Sequence, residues 1–176
     1  MTTPTLFDTE PAQVQRSAVI SDCGRYRYEL RREWAPGPTA VFVMLNPSSA
    51  DAEIDDPTIR RLAGANGFAR HCGCGSLLVV NLYALRSADP AALWDADDPV
   101  GPDNDRHLWS AAATAMATGG PLVGAWGANA KPERIAAVLA IPGMDRLQAL
   151  DVTKAGQPKH PLYLRADLTP QPWTQP

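Results

Sequence analysis

The sequence predicts an α/β domain, a three-layer α/β/α sandwich with a central four-stranded parallel sheet and an N-terminal β-hairpin. Three observations carry that prediction. Apolar runs of strand length recur at 39–45, 76–82, 121–126 and, more weakly, 146–150, as expected of strands covered on both faces. Segments of helical character lie between them, at 57–70, about 102–118 and 131–140. Connections of that length make right-handed crossovers, which place successive strands parallel with helices against the sheet.

The elements come in a clear order. Residues 17–34, SAVISDCGRYRYELRREW, read as a hairpin with an Asp-Cys-Gly turn, in which Tyr26, Tyr28 and Leu30 alternate with Arg25, Arg27 and Arg31 to leave one wet, basic face. The first core strand runs into the abrupt elbow Asn46-Pro47-Ser48-Ser49, and Asp56-Pro57 then opens a helix: Asp56 accepts from free amide N–H groups and Pro57 fills the first turn. Arg60 lies four residues beyond Asp56, at ion-pair spacing, with a phosphate contact as the lesser reading. Asp97-Asp98-Pro99 and Gly101-Pro102-Asp103-Asn104-Asp105 repeat this chemistry before the long helix. The expected organisation is an N-terminal arm at 1–16, a single domain at 17–167 and a proline-rich C-terminal tail at 168–176.

A chain of 176 residues supports one core that removes about 70 % of its unfolded surface from water. Hydrophobic residues at 45 % and charged residues at 20 % argue against disorder. The 17 prolines gather in loops and near the ends, where they stiffen irregular chain. No basic, apolar leader or membrane-length apolar stretch is evident, so a cytoplasmic protein is expected. A net charge of −3 confines any nucleic-acid surface to a local patch. Cys23, Cys72 and Cys74 are too few for a disulfide framework and fit a reducing compartment. His71-Cys72-Gly73-Cys74 invites a metal reading but falls short of four spaced ligands, so no metal and no cofactor are expected.

Ligands of parallel sheets collect at the carboxyl ends of the strands. Here those ends carry Asn46-Pro47-Ser48-Ser49, Asn81-Leu82-Tyr83, Trp126-Gly127-Ala128-Asn129 and a loop with Lys154, Lys159 and His160. Asn46, biased to extended backbone by Pro47, either positions something small or caps its own turn. Asn81 carries the same two readings. His160 is either catalytic or an inconsequential loop histidine. No G-x-G-x-x-G, phosphate-binding Gly-rich loop with Lys-Ser/Thr, or Gly-x-Ser-x-Gly elbow is present, which sets aside dinucleotide oxidoreductases, P-loop NTPases and α/β-hydrolases.

Taken in order, Asn46-Pro47-Ser48-Ser49-Ala50, Asn81 after Val79-Val80, Trp126-Gly127-Ala128-Asn129-Ala130 and His160-Pro161-Leu162-Tyr163-Leu164 resemble an uncharacterised bacterial family, domain of unknown function 1643, from about Tyr26 to Trp173. More distantly, the four segments resemble the uracil-DNA glycosylase superfamily, an α/β/α sandwich with four parallel strands. That resemblance implies that Asn46 positions a water at the sugar, Asn81 reads the base and His160 hydrogen-bonds the departing base. Met44 and Ser48 stand where glycines are usual, and Leu162 where a small Ser is usual.

The resemblance therefore implies an enzyme hydrolysing an N-glycosidic bond of a nucleobase in DNA or a nucleoside. Asp51 or Asp55 would stabilise positive charge on the sugar. Pro47, Ser48, Ser49, Trp126, Gly127 and Asn129 would line the substrate site. Tyr83 would be a stacking platform and Tyr163 or Leu164 a wedge. Arg86, Lys154, Lys159 and Arg165, with Arg60 as the lesser candidate, would form a basic rim on DNA. The alternatives are a non-catalytic nucleotide- or nucleic-acid-binding module of the same fold and a partner-binding scaffold using the proline-rich tail.

Overall fold

The N-terminal hairpin explains which arginines stay dry. In the computed structural model, which describes residues 13–176, β1 (Gln15–Ile20) pairs antiparallel with β2 (Arg27–Glu33). Val19 stands opposite Glu29 but Ile20 opposite Arg27, so Tyr28 is an extra residue on β2 and the inside–outside alternation slips there. Arg27, expected on a wet face with Arg25 and Arg31, is consequently only 3 % exposed; Arg32 keeps the inward alternation of Tyr28 and Leu30 and is fully buried. Of the N-terminal arm expected at 1–16, Gln15 and Arg16 belong to β1, and residues 1–12 lie outside the described residues.

The apolar runs form β3 (Thr39–Met44), β4 (Ser76–Asn81), β5 (Leu122–Gly124) and β6 (Gln148–Ala149), which pair parallel in the order β4-β3-β5-β6. β2 adds antiparallel to β4, and β7 (Gln171–Pro172) adds antiparallel to β6. The sheet is therefore seven-stranded and mixed, not a four-stranded parallel sheet; the α/β class holds. The hairpin joins the sheet because β2 hydrogen-bonds directly to β4, from Leu30 opposite Val79 to Glu33 opposite Ser76.

Helices pack on both faces. On one, α1 (Pro57–Ala63) and α2 (Phe68–His71) bury Ile59, Leu62, Phe68 and Ala69 against Phe42, Leu77 and Val79. The segment expected as one helix over 57–70 is broken because the chain folds back on α1. A Cβ on Gly67 would sit 2.4 Å from the Leu62 carbonyl oxygen, so only glycine fits there. On the other face, α3 (Asn104–Thr118) and α4 (Pro132–Leu139) bury Leu108, Ala111, Ile135 and Val138 against Val41, Val43, Leu78 and Val80.

The segment 168–176, read from its prolines as a tail, carries β7 and returns Trp173 to the core at 7 % exposure. The Trp173 indole N–H donates to the Gly156 carbonyl at 2.7 Å, and its ring meets Trp126 edge-on with centroids 5.3 Å apart. Trp173→Ala is therefore expected to cost about 3–5 kcal/mol, the usual range for deleting a buried tryptophan. The check is the urea midpoint: an unchanged midpoint would mean that the segment is a detachable tail after all.

Candidate functional site

The chain leaves β3 at Met44 and turns at Asn46-Pro47. The Asn46 Nδ2 group donates to its neighbour's carbonyl, Pro47 O, at 3.1 Å and to Ser87 O, in the loop after β4, at 2.9 Å. With both amide protons engaged, the plane of the side chain is fixed. Its Oδ1 accepts no hydrogen bond among the described residues. Ser87 N–H donates back to Pro47 O at 2.9 Å, so the two loops are locked together.

After β5 the chain passes Trp126 and turns at Gly127, whose φ of +75° favours glycine. Gly127 N–H donates to Pro158 O at 2.8 Å, drawing the loop that carries His160 against the end of β5. A Cβ on Gly127 would lie 4.0 Å from the His160 Cβ, so the two loops touch. His160 caps a 3₁₀ turn at Pro161–Tyr163, its Nδ1 accepting the Leu162 N–H at 3.3 Å. A ring whose Nδ1 accepts carries its neutral-state proton on Nε2.

These loops enclose one cleft of about 460 Å³. Of the expected residues it takes in Asn46, Ser48, Ser49, Trp126, Gly127, Asn129 and His160. It lies at the carboxyl ends of the adjacent strands β3 and β5. The chain leaves β3 toward α1 on one face and β5 toward α4 on the other. A crevice opens wherever neighbouring strands part in this way, and ligands bind there.

Nine residues outside the expected site also line the cleft, among them Asp56, Thr58, Ser87 and Leu162. Asp56 does cap α1, its Oδ1 accepting Ile59 N–H at 2.8 Å, but the same residue borders the cleft. Its position soon after the elbow, at the mouth of a helix covering the sheet, was the available signal.

Burial pushes the His160 pKa below the ordinary histidine value, with the Asp56 carboxylate opposing the shift. The ring is therefore neutral at pH 7 with an Nε2–H to donate. Because the folded pKa lies below the unfolded value of 6.5, the unfolded chain binds the extra proton first, and stability falls as pH drops below about 6.5. An NMR titration of the imidazole is expected to give a midpoint below 6.5, and His160→Gln is expected to remove that part of the pH slope; a midpoint above 6.5 would contradict the effect of burial.

The remaining expected residues lie elsewhere. The Asp51 Oδ1 accepts from Glu53 and Ile54 N–H at 2.9 and 2.8 Å, which orders its own loop and lowers its pKa. Asp55 pairs with Arg32 at 2.7 Å and with Arg16 at 3.2 Å and borders a different hollow together with Arg60. Asn81 is 1 % exposed, is not among the cleft residues, and stands opposite Met44, which is. Neither its Oδ1 nor its Nδ2 has a partner among the described residues. Pro47 is buried and acts through its carbonyl.

Tyr83 is buried, its hydroxyl accepting Lys131 N–H at 3.4 Å and its ring meeting Trp94 edge-on, so it offers no stacking face to the cleft. Lys159 pairs with Asp151 at 2.6 Å and Arg165 with Asp167. Leu164 is half-buried, packs against the α1 face and accepts from Arg61, whereas Lys154 and Tyr163 are exposed. His71, Cys72 and Cys74 do not gather a metal set: among the described residues no group of three or more His, Cys, Asp or Glu could hold an ion. Burial pushes the Cys74 thiol up to about 11. No helix among the described residues is long and apolar enough to cross a membrane.

The fold and cleft define a mixed-sheet α/β protein with a ligand-sized crevice at the ends of its parallel strands. The chain belongs to the family described as protein of unknown function (DUF1643), whose model matches residues 27–162. No curated protein and no solved structure matches it significantly.

Proposed function

We propose that the cleft holds a nucleobase and its sugar and hydrolyses the N-glycosidic bond between them, in DNA or in a nucleoside. The observation that carries this reading is the joint placement of Asn46 and His160 in one cleft with complementary hydrogen-bonding sense, a fixed Oδ1 acceptor and an Nε2–H donor. The motif likeness to the uracil-DNA glycosylase superfamily, with its four parallel strands, supports the assignment of these two residues.

In this reading a water donates to Asn46 Oδ1, which turns an oxygen lone pair toward the anomeric carbon. As the carbon–nitrogen bond breaks, its electron pair goes to the base, and His160 Nε2–H stabilises the negative charge on the base's carbonyl oxygen. The sugar passes through an oxocarbenium-like state. Asp56 replaces Asp51 and Asp55 as the carboxylate facing that positive charge, because it borders the cleft and they do not. The water's hydroxyl joins the sugar and its proton passes through solvent to the departing base. An amide is a poor base, so the reaction is slow. For DNA, the 89 % exposed Tyr163, three residues beyond His160, is the wedge that holds the duplex open.

The second reading is a binding module that keeps the pocket without the chemistry. It is favoured by Met44, Ser48 and Leu162, which crowd the cleft lining at positions where the motif likeness implies smaller residues. Incubating the protein with oligonucleotides carrying uracil, hypoxanthine or bulky modified bases, and with nucleosides, separates the two. Free base released by the wild type but not by an Asn46→Ala/His160→Ala double variant supports hydrolysis. Calorimetric binding without release supports the module, and release that persists in the double variant overturns the residue assignment.

A further inference from the structure

Beside the cleft lies a second hollow of about 440 Å³, bordered by Arg25, Arg86 and the hydroxyl-bearing Ser48, Ser49 and Ser87. The three serines line both cavities, so the two form one continuous depression with a neutral floor between them. The arginines come from distant parts of the chain, the β1–β2 turn and the loop after β4. Backbone geometry holds them together: Arg86 N–H donates to Arg25 O at 2.9 Å, and Arg86 Nη1 donates to Gly24 O at 3.3 Å.

Neither guanidinium forms an ion pair among the described residues. The Asp51 carboxylate, which Arg86 influences, spends one oxygen on backbone N–H groups. Arg27 lies nearby: it is buried, donates to Ala50 O in the same elbow, and has its pKa held down to about 10 by burial, with the Asp56 and Asp51 carboxylates opposing and Arg86 and Arg32 pushing the same way. Arg25 and Arg86, held side by side without an ion pair, leave a local positive potential that an anion relieves.

We propose that this annex binds a phosphate attached to the ligand whose base lies in the cleft, a proposal that rests on the nucleobase reading for the ligand's other end. Guanidinium groups grip phosphate oxygens with paired N–H donors, and the serine hydroxyls donate to the remaining ones. The cleft lining holds no Lys or Arg, its histidine is neutral and it carries Asp56, so a phosphate is disfavoured there and favoured in the annex. Two sources share this chemistry, the 5′-phosphate of a mononucleotide and a phosphodiester of a nucleic-acid strand.

The test is equilibrium binding of the full chain, wild type and Arg25→Ala/Arg86→Ala, to deoxynucleoside 5′-monophosphates, to their nucleosides, and to a short labelled single-stranded oligonucleotide lacking terminal phosphates. The wild type is expected to bind a phosphorylated probe about 10-fold more tightly than the double variant does, with nucleoside binding unchanged. Its log affinity against log salt is expected to be steeper by about 1–2 units for the oligonucleotide. Recovery of part of the salt dependence, but not of the full affinity, in Arg25→Lys/Arg86→Lys further supports guanidinium pairing. A preference for monophosphates identifies the mononucleotide source, and binding of the oligonucleotide alone identifies the strand. Equal binding of all phosphorylated probes by wild type and Ala double variant overturns the annex. Base release accompanied by phosphorylated-probe binding that does not depend on the arginines removes the annex and leaves the hydrolase reading; arginine-dependent phosphate binding without any base release does the reverse.

Discussion

Under the proposed hydrolysis, Asn46→Ala is expected to slow base release about 100-fold or more, the scale of loss when one preorganised polar group is removed from a reacting centre. The reason is the way the side chain is held. Nδ2 is spent on Pro47 O and Ser87 O, at 3.1 and 2.9 Å, so Oδ1 faces one direction without the entropy cost of finding it. Alanine removes the acceptor and unlocks the elbow from the loop after β4, costing stability of about 1–2 kcal/mol as well. Asn46→Asp separates these effects. A carboxylate has no donor for the two carbonyl oxygens, so it destabilises the elbow, yet it is a better base for water. Single-turnover release measured alongside thermal melting reads both. Unchanged release by Asn46→Ala in folded protein would remove Asn46 from the chemistry.

The second large effect is on stability. Arg32 is fully buried, its Nε and Nη2 reaching Asp55 Oδ1 at 2.8 and 2.7 Å, with Nη1 donating to Arg31 O at 2.8 Å and Nη2 to Asp51 O at 2.6 Å. It thus ties β2 to the 51–55 loop that delivers Asp56 to α1 and to the cleft. Arg32→Ala leaves the partly buried Asp55 carboxylate with only the more exposed Arg16, and two carbonyls without this donor, a loss of about 3 kcal/mol. Arg32→Met with Asp55→Asn is expected to recover much of this, because removing both charges avoids the unpaired one. Chemical denaturation checks the pair of values. A loss below about 1 kcal/mol for Arg32→Ala would mean that the buried pair contributes no more than a surface one.

Legibility in the sequence divides along physical lines. The runs over 39–45 and 76–82 declare buried strands because both their faces are apolar. The Asp56-Pro57 cap and the Asn46-Pro47 turn are local chemistry, visible without knowing the rest of the fold. The burial of Arg27 was not legible because a bulge at Tyr28 shifts a period-two pattern by one residue; Arg32 shares the parity of Leu30, but its partner, Asp55, is distant in sequence. β7 escaped for the opposite reason. Gln171 and Pro172 have no strand propensity, and their place in the sheet depends on Trp173 docking between Gly156 and Trp126. In the site, loop ends after β3 and β5 were identifiable from strand order. The choice among Asp51, Asp55 and Asp56 needed coordinates, because three neighbouring acids face a loop, an arginine and a cleft respectively.

If the cleft is a single site, one ligand touches both the elbow after β3 and the histidine loop after β6. Titrating labelled protein with nucleosides while following the Asn46 side-chain amide and the His160 imidazole nitrogens by NMR tests that shared contact without relying on turnover. Both sets of resonances are expected to move together along one binding curve. Saturable binding in which either group stays still, or in which the two follow different affinities, would contradict a common site.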